Sequence, residues 1–159
     1  MIHRQWKSLV VQLMQSAPLA LDWPSVRTVR VLRSHTQYVG VNSCLAFAPD
    51  GSTFVTTAMG DNTARVWCTR DYSYLHTLTG HARWLRSCVF AHDSSTLVTT
   101  SEDRTARVWC TRDWSHLHTL TGHSHGVRLC VFAPDGSTLV TASCDNTARV
   151  WCTRDWSHF

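Results

Sequence analysis

A histidine, a threonine, an aspartate and a tryptophan recur in fixed order along this chain of 159 residues: His81, Thr99, Asp103 and Trp109, then His123, Thr141, Asp145 and Trp151. A hydroxyl, an imidazole and a carboxylate are the parts of a nucleophilic triad, in which the imidazole takes the hydroxyl proton and the carboxylate orients the ring. Repetition argues against that chemistry. A hydrolytic centre needs one cleft with an oxyanion donor, whereas this set occurs more than once and each copy is tied to a tryptophan. Thr56 or Thr57, with Asp61 and Trp67, stands in the same relation to His35. No catalytic residue and no enzymatic activity are therefore expected.

The seven cysteines are the other reactive groups. Cys68, Cys110 and Cys152 each follow a repeated tryptophan, and Cys88 and Cys130 sit in matching apolar runs before a phenylalanine, so they read as small apolar strand residues. There is no CxxC pair, and His116 and His118 lack a partner at zinc-finger spacing. Neither a metal nor a cofactor is expected, and the cysteine pattern favours a reducing, cytoplasmic setting. Arg65, Arg107 and Arg149 form one register, and Arg70, Arg112 and Arg154 another beside Asp71, Asp113 and Asp155. Lines of arginine could hold phosphate. Each has an Asp or Thr repeating next to it, so surface pairing is the simpler expectation. No GxxxxGK loop is present.

The elements that must position these residues follow from the repetition. Asn62 to His81 recurs as Arg104 to His123, 42 positions later with three differences, and a third copy starts at Asn146. A period in the low forties points to propeller blades. In the middle unit four apolar runs alternate with turn residues: Leu75 to Leu78, Leu85 to Ala91, Thr96 to Ser101 and Thr105 to Cys110. Runs of this length, rich in Val, Thr, Leu and aromatics and bounded by Asp, Gly and Ser, predict antiparallel strands. Ala48-Pro49-Asp50-Gly51 and Ala133-Pro134-Asp135-Gly136 predict turns, with proline presetting φ and glycine taking the left-handed position. The middle copy, Ala91-His92-Asp93-Ser94, has neither, which predicts the softest turn of the three.

Composition is ordinary for a globular chain: 43% hydrophobic, 16% charged, with a net charge of +4 spread along the repeats. Nucleic-acid and membrane partners gain no support from that spread. The run from Ser8 to Met14 is too short to span a bilayer. Trp6, Leu9, Val10, Leu13, Met14 and Ala17 share one helical face, so residues 1–27 are expected to be a short helical or irregular segment.

The order Gly80-His81, then Cys88-Val89-Phe90, a turn, Leu97 to Asp103 and Ala106 to Trp109 resembles the WD-repeat (WD40) β-propeller family. The resemblance covers about Thr28 to Phe159, with Trp-Cys where the family has Trp-Asp. It implies an all-β fold of about three antiparallel four-stranded blades, near 28–68, 74–110 and 116–152, in an open arc. It also implies that each His, Thr, Asp and Trp set is a buried structural tetrad, in which the imidazole bridges the aspartate and the threonine hydroxyl, and that hydroxyl meets the indole N–H. The spacing from His35 to Asp61 is four longer than from His81 to Asp103, so the first blade should carry a bulge or loop insertion.

Function by this resemblance is a non-catalytic scaffold binding protein or peptide partners, with no small-molecule substrate. The copies differ most in their rim loops, where partners would sit. Candidate contacts are Tyr38, Arg83, Trp84, Glu102, Arg104, His125 and Asn146, with Trp84 beside Arg83 having the composition of a hot spot. An alternative is a structural piece of a larger WD-repeat protein with no activity of its own. Three units are too few to close a ring of about four to eight blades, which predicts a homodimer or association with further blades.

Overall fold

The computed structural model describes residues 44–158 apart from 59 and 61. The expected N-terminal segment 1–27, the strand near Thr28 to Leu32, His35 and Tyr38 lie outside the described residues. The described chain is all-β. Its strands are β1 (Leu45–Phe47), β2 (Thr53–Thr57), β3 (Ala64–Cys68), β4 (Tyr74–Leu78), β5 (Leu85–Phe90), β6 (Thr96–Ser101), β7 (Ala106–Cys110), β8 (His116–Leu120), β9 (Val127–Phe132), β10 (Thr138–Ser143) and β11 (Ala148–Cys152). They form three antiparallel sheets, ordered β1-β2-β3-β4, β5-β6-β7-β8 and β9-β10-β11.

The sheets are offset by one strand from the units expected at 28–68, 74–110 and 116–152. Tyr74–Leu78 pairs with β3 and belongs to the first sheet, and His116–Leu120 likewise completes the second. Local turn chemistry accounts for the offset. The tight connection after Cys68 is closed by a Cys68 N–H to Ser73 carbonyl bond of 2.9 Å and by Asp71 Oδ1 accepting from the Ser73 amide at 3.0 Å. Such a connection leaves no length for the chain to leave the sheet. Departure comes later, through Gly80 and Gly122, whose φ values of 128° and 129° are open to glycine.

The core lies between the sheets. Val55, Ala64, Val66 and Leu78 of the first pack against Cys88, Phe90, Leu97 and Trp109 of the second. The same layer repeats one unit on, with Val98, Ala106, Val108 and Leu120 facing Cys130, Phe132, Leu139 and Trp151. This follows from strand alternation: on β7 the Ala and Val side chains face the third sheet while the Trp side chain faces the first, and on β3 Trp67 points away from the face that Ala64 and Val66 bury.

The middle turn keeps the form of its neighbours without their residues. Ser94 N–H bonds the Ala91 carbonyl at 2.9 Å with Ser94 at φ 60°, as Gly51 and Gly136 do for Ala48 and Ala133 at φ 71°. Contacts to both sides support it: His92 Nε2 lies 3.1 Å from the Ala133 carbonyl, and Asp50 N–H donates to Ser94 Oγ at 3.0 Å. One residue of the first unit's insertion lies in the β2–β3 turn, because Thr56 pairs with Arg65 where Thr99 pairs with Arg107.

Candidate partner-binding site

In the second sheet, β6 and β7 bring Thr99 and Trp109 together and the loop from β4 to β5 lays His81 across them. Trp109 Nε1–H donates to Thr99 Oγ1 at 2.9 Å, Thr99 Oγ1 and His81 Nε2 are 2.9 Å apart, and His81 Nδ1 is 2.7 Å from Asp103 Oδ2. Proton counting orders the chain. The indole can only donate and the carboxylate only accept, so the threonine proton goes to Nε2 and the ring proton sits on Nδ1. His123, Thr141, Asp145 and Trp151 repeat the arrangement at 2.8 to 2.9 Å. Thr99 and Thr141 are wholly buried, and each hydroxyl is committed to an indole and an imidazole. No substrate carbonyl can reach them, and the arrangement holds the crossover loop to its sheet. In the first sheet Trp67 Nε1–H donates to Thr56 Oγ1 at 3.0 Å, which selects Thr56 over Thr57. Thr57 Oγ1 accepts instead from the Cys44 amide at 2.9 Å.

The aspartates are held ionised. Burial raises the Asp103 carboxyl, but bonds from His81, Thr105 and the Ala82 amide outweigh it and leave the group well below the usual carboxylate range. The Thr147 hydroxyl does most to lower Asp145, with His123 and the Ser124 amide adding to it against burial.

The loops at one rim build a groove of about 340 Å³ from Arg83, Trp84, Arg86, Glu102 and Arg128. Trp84 is 42% exposed, and the Arg86 guanidinium lies 5.9 Å from its ring centroid, a cation–π contact. Glu102 Oε1 ties the second sheet to the third, accepting from Arg86 Nε at 2.5 Å and lying 3.0 Å from Arg128 Nη1. Both arginines stand at β-bulges. Leu85 pairs with Ser101 and Ser87 with Thr100, skipping Arg86, and Leu129 and Val127 pair with Ala142 and Ser143, skipping Arg128. A bulge re-aims the extra side chain, here toward the rim. Gly126 leaves room for Glu102, whose Cα would lie 3.2 Å from any Cβ added there.

Arg83, Trp84 and Glu102 thus meet in one groove. His125 is exposed on the next loop, outside the groove lining, with its carbonyl accepting from Ser143 Oγ at 3.0 Å. Arg104 and Asn146 are exposed and hold left-handed turn positions at φ 74° and 65°, so these positions also carry a backbone demand. Tyr38 is outside the described residues. Arg86 and Arg128 were missed by reading differences between copies, because the two are identical in type and spacing; their bulged pairing has no signal in the period-two pattern. Arg107 and Arg149 lie over Gly80 and Gly122 rather than beside an acid, and Arg149 Nη2–H donates to the Gly122 carbonyl at 2.8 Å. Among the described residues no group of three His, Cys, Asp or Glu side chains could hold a metal, and no helix is long and apolar enough to cross a membrane.

Antiparallel sheets packed face to face in series, the second and third each clasping its crossover loop with a Trp–Thr–His–Asp chain, define a β-propeller repeat protein. The chain belongs to the WD40 family (WD domain, G-beta repeat), which matches it at residues 26–68, 72–110 and 114–152. Over 73 residues it is 40% identical to WD repeat and SOCS box-containing protein 1 of Homo sapiens, a stretch that is 45% of this chain and 17% of that protein. Over 72 residues it is 38% identical to Ribosome assembly protein 4 of Saccharomyces cerevisiae, covering 43% of this chain and 14% of that one. The fold superposes on the structure of U3-55K with a TM-score of 0.75 at 25% identity, covering 82% of this chain and 40% of that chain. The RRP9 WD40 repeats give 0.74. The chain therefore spans less than half the length of these relatives. WD repeats generally serve protein–protein interaction and scaffolding.

Proposed function

We propose that this chain is a non-catalytic WD-repeat scaffold that takes a protein or peptide partner in the rim groove of Arg83, Trp84, Arg86, Glu102 and Arg128. The supporting observation is the exposed Trp84 held against Arg86. A large rigid aromatic ring with a guanidinium beside it offers much contact area at low conformational cost, the composition found where interface energy concentrates. Three arginines against one glutamate leave the groove cationic, which suits an acidic segment and would speed its encounter. Partner capture by wild type and an Arg83→Ala/Trp84→Ala double variant tests the reading. The double variant should keep its melting temperature and lose the captured partners. A lowered melting temperature would make Trp84 a stability residue and overturn the assignment.

A second reading is favoured by another observation. Leu129 and Val131 of β9 and Val150 of β11 are exposed on the third sheet, and Leu45 and Phe47 on the first. These sheet faces suit further blades, from a second copy or another chain, and such association is compatible with rim binding.

A further inference from the structure

The repeat does not explain Cys44. It sits opposite Thr57 just before β1, where the second unit has Ser87 opposite Thr100 and the third has Leu129 opposite Ala142. From there its Sγ reaches 3.1 Å from the Sγ of Cys88, a residue 44 positions away on the neighbouring sheet. The Cys88 amide N–H also donates to Cys44 Sγ at 3.2 Å. Two sulfurs at this separation are inside ordinary van der Waals contact, and the Cys88 thiol donates to the Cys44 sulfur, which also lies 3.6 Å from the Cys88 carbonyl. Cys44 keeps part of its surface exposed, whereas Cys88 is buried.

We infer that Cys44 and Cys88 form a peroxide-reactive dithiol whose oxidation joins the first two blades through a disulfide. The electrostatics divide the roles. The Cys88 thiol hydrogen bond, reinforced by the Cys88 amide and Ser87 and opposed by burial, brings Cys44 down to about 6, while the same bond and burial push Cys88 well up. Cys44 is then the thiolate and nucleophile at neutral pH, and Cys88 the protonated resolving thiol. The third cysteine here, Cys130, is buried and pushed up to about 12, which keeps it inert.

With hydrogen peroxide as oxidant, the Cys44 thiolate attacks one oxygen and the O–O bond breaks. The departing hydroxide takes up a proton as water, leaving a sulfenic acid on Cys44. The Cys88 sulfur then attacks the Cys44 sulfur, the S–O bond breaks, and the Cys88 proton leaves with the hydroxyl as a second water. Two thiols and one peroxide become one disulfide and two waters. The second step is intramolecular between sulfurs already in contact, so it should outrun capture of the sulfenic acid by external thiols.

The experiment treats the whole chain with one equivalent of hydrogen peroxide, blocks free thiols, digests without reductant and maps the peptides by mass. The expected product is a linked peptide pair carrying Cys44 and Cys88, lost on reduction. In Cys88→Ser the link should vanish and Cys44 should become labelled by dimedone, a sulfenic-acid trap; in Cys44→Ser neither product should form. A wild-type map with Cys88 still free, with Cys44 joined to a different cysteine, or with Cys44 unoxidised while others react, would overturn the inference. Should either variant fail to fold, the wild-type map alone still decides.

Discussion

Trp109 and Trp114 belong to the same unit yet carry unequal weight. Trp109 is buried in the layer between the first two sheets and donates the indole proton that the wholly buried Thr99 hydroxyl accepts. Its removal would leave a cavity and an underpartnered polar group together. Trp114 is half-buried on the edge of the same layer, in a turn at φ 59°. Trp109→Ala should therefore cost about 3–5 kcal/mol, and Trp114→Ala a fraction of that. Thermal or urea melts check this, and equal shifts would mean that Trp114 is as much a core residue as Trp109.

At the scale of elements, glycine positions separate two kinds of turn. Gly51 closes the β1–β2 turn at φ 71° with nothing within 4 Å of the place a Cβ would take. Gly80, where the chain leaves one sheet for the next, has φ 128° and the Arg107 guanidinium lying directly on it, with Cζ 3.0 Å from a Cβ built there. Alanine at Gly51 pays the left-handed cost alone, about 1–2 kcal/mol. At Gly80 it meets both a backbone region nearly closed to other residues and a clash. Gly80→Ala should lower the melting temperature distinctly more than Gly51→Ala. If the two variants melt together, Arg107 moves aside freely and the crossover is not constrained as described.

For the molecule as a whole, the repeats act as their own control. Val108 is 0% exposed under the third sheet, whereas Val150, the same residue one unit on, is 39% exposed. Phe90 is 5% exposed against the first sheet, and its counterpart Phe47 is 60% exposed. Each fully covered Val or Phe is worth roughly 1.5–3 kcal/mol in removal from water, so the uncovered copies among the described residues favour association with further apolar surface. Light scattering should show a mass above that of one chain, falling toward it in a Leu129→Thr/Val131→Thr variant. A wild type that stays a single chain and binds no hydrophobic dye would show those faces to be covered.

The sequence by itself determined what depends on short range. Alternating Val, Thr and Trp with Asp, Gly and Ser between them specified the strands, and the 42-residue recurrence specified that each sheet repeats the last. The members of the second and third His, Thr, Asp and Trp sets were legible because a buried polar group needs a partner, and in these two the same four types kept the same spacing. Tertiary structure decided the rest. Which sheet Tyr74–Leu78 joins, that Thr56 and not Thr57 meets Trp67, and that Arg86 and Arg128 converge on Glu102 all depend on bulges and hairpin closure, which leave no period in the chain. The contact of Cys44 with Cys88 belongs here as well. Each cysteine sits in an unremarkable apolar run, and only the packing of one sheet on the next brings two sulfurs within 3.1 Å.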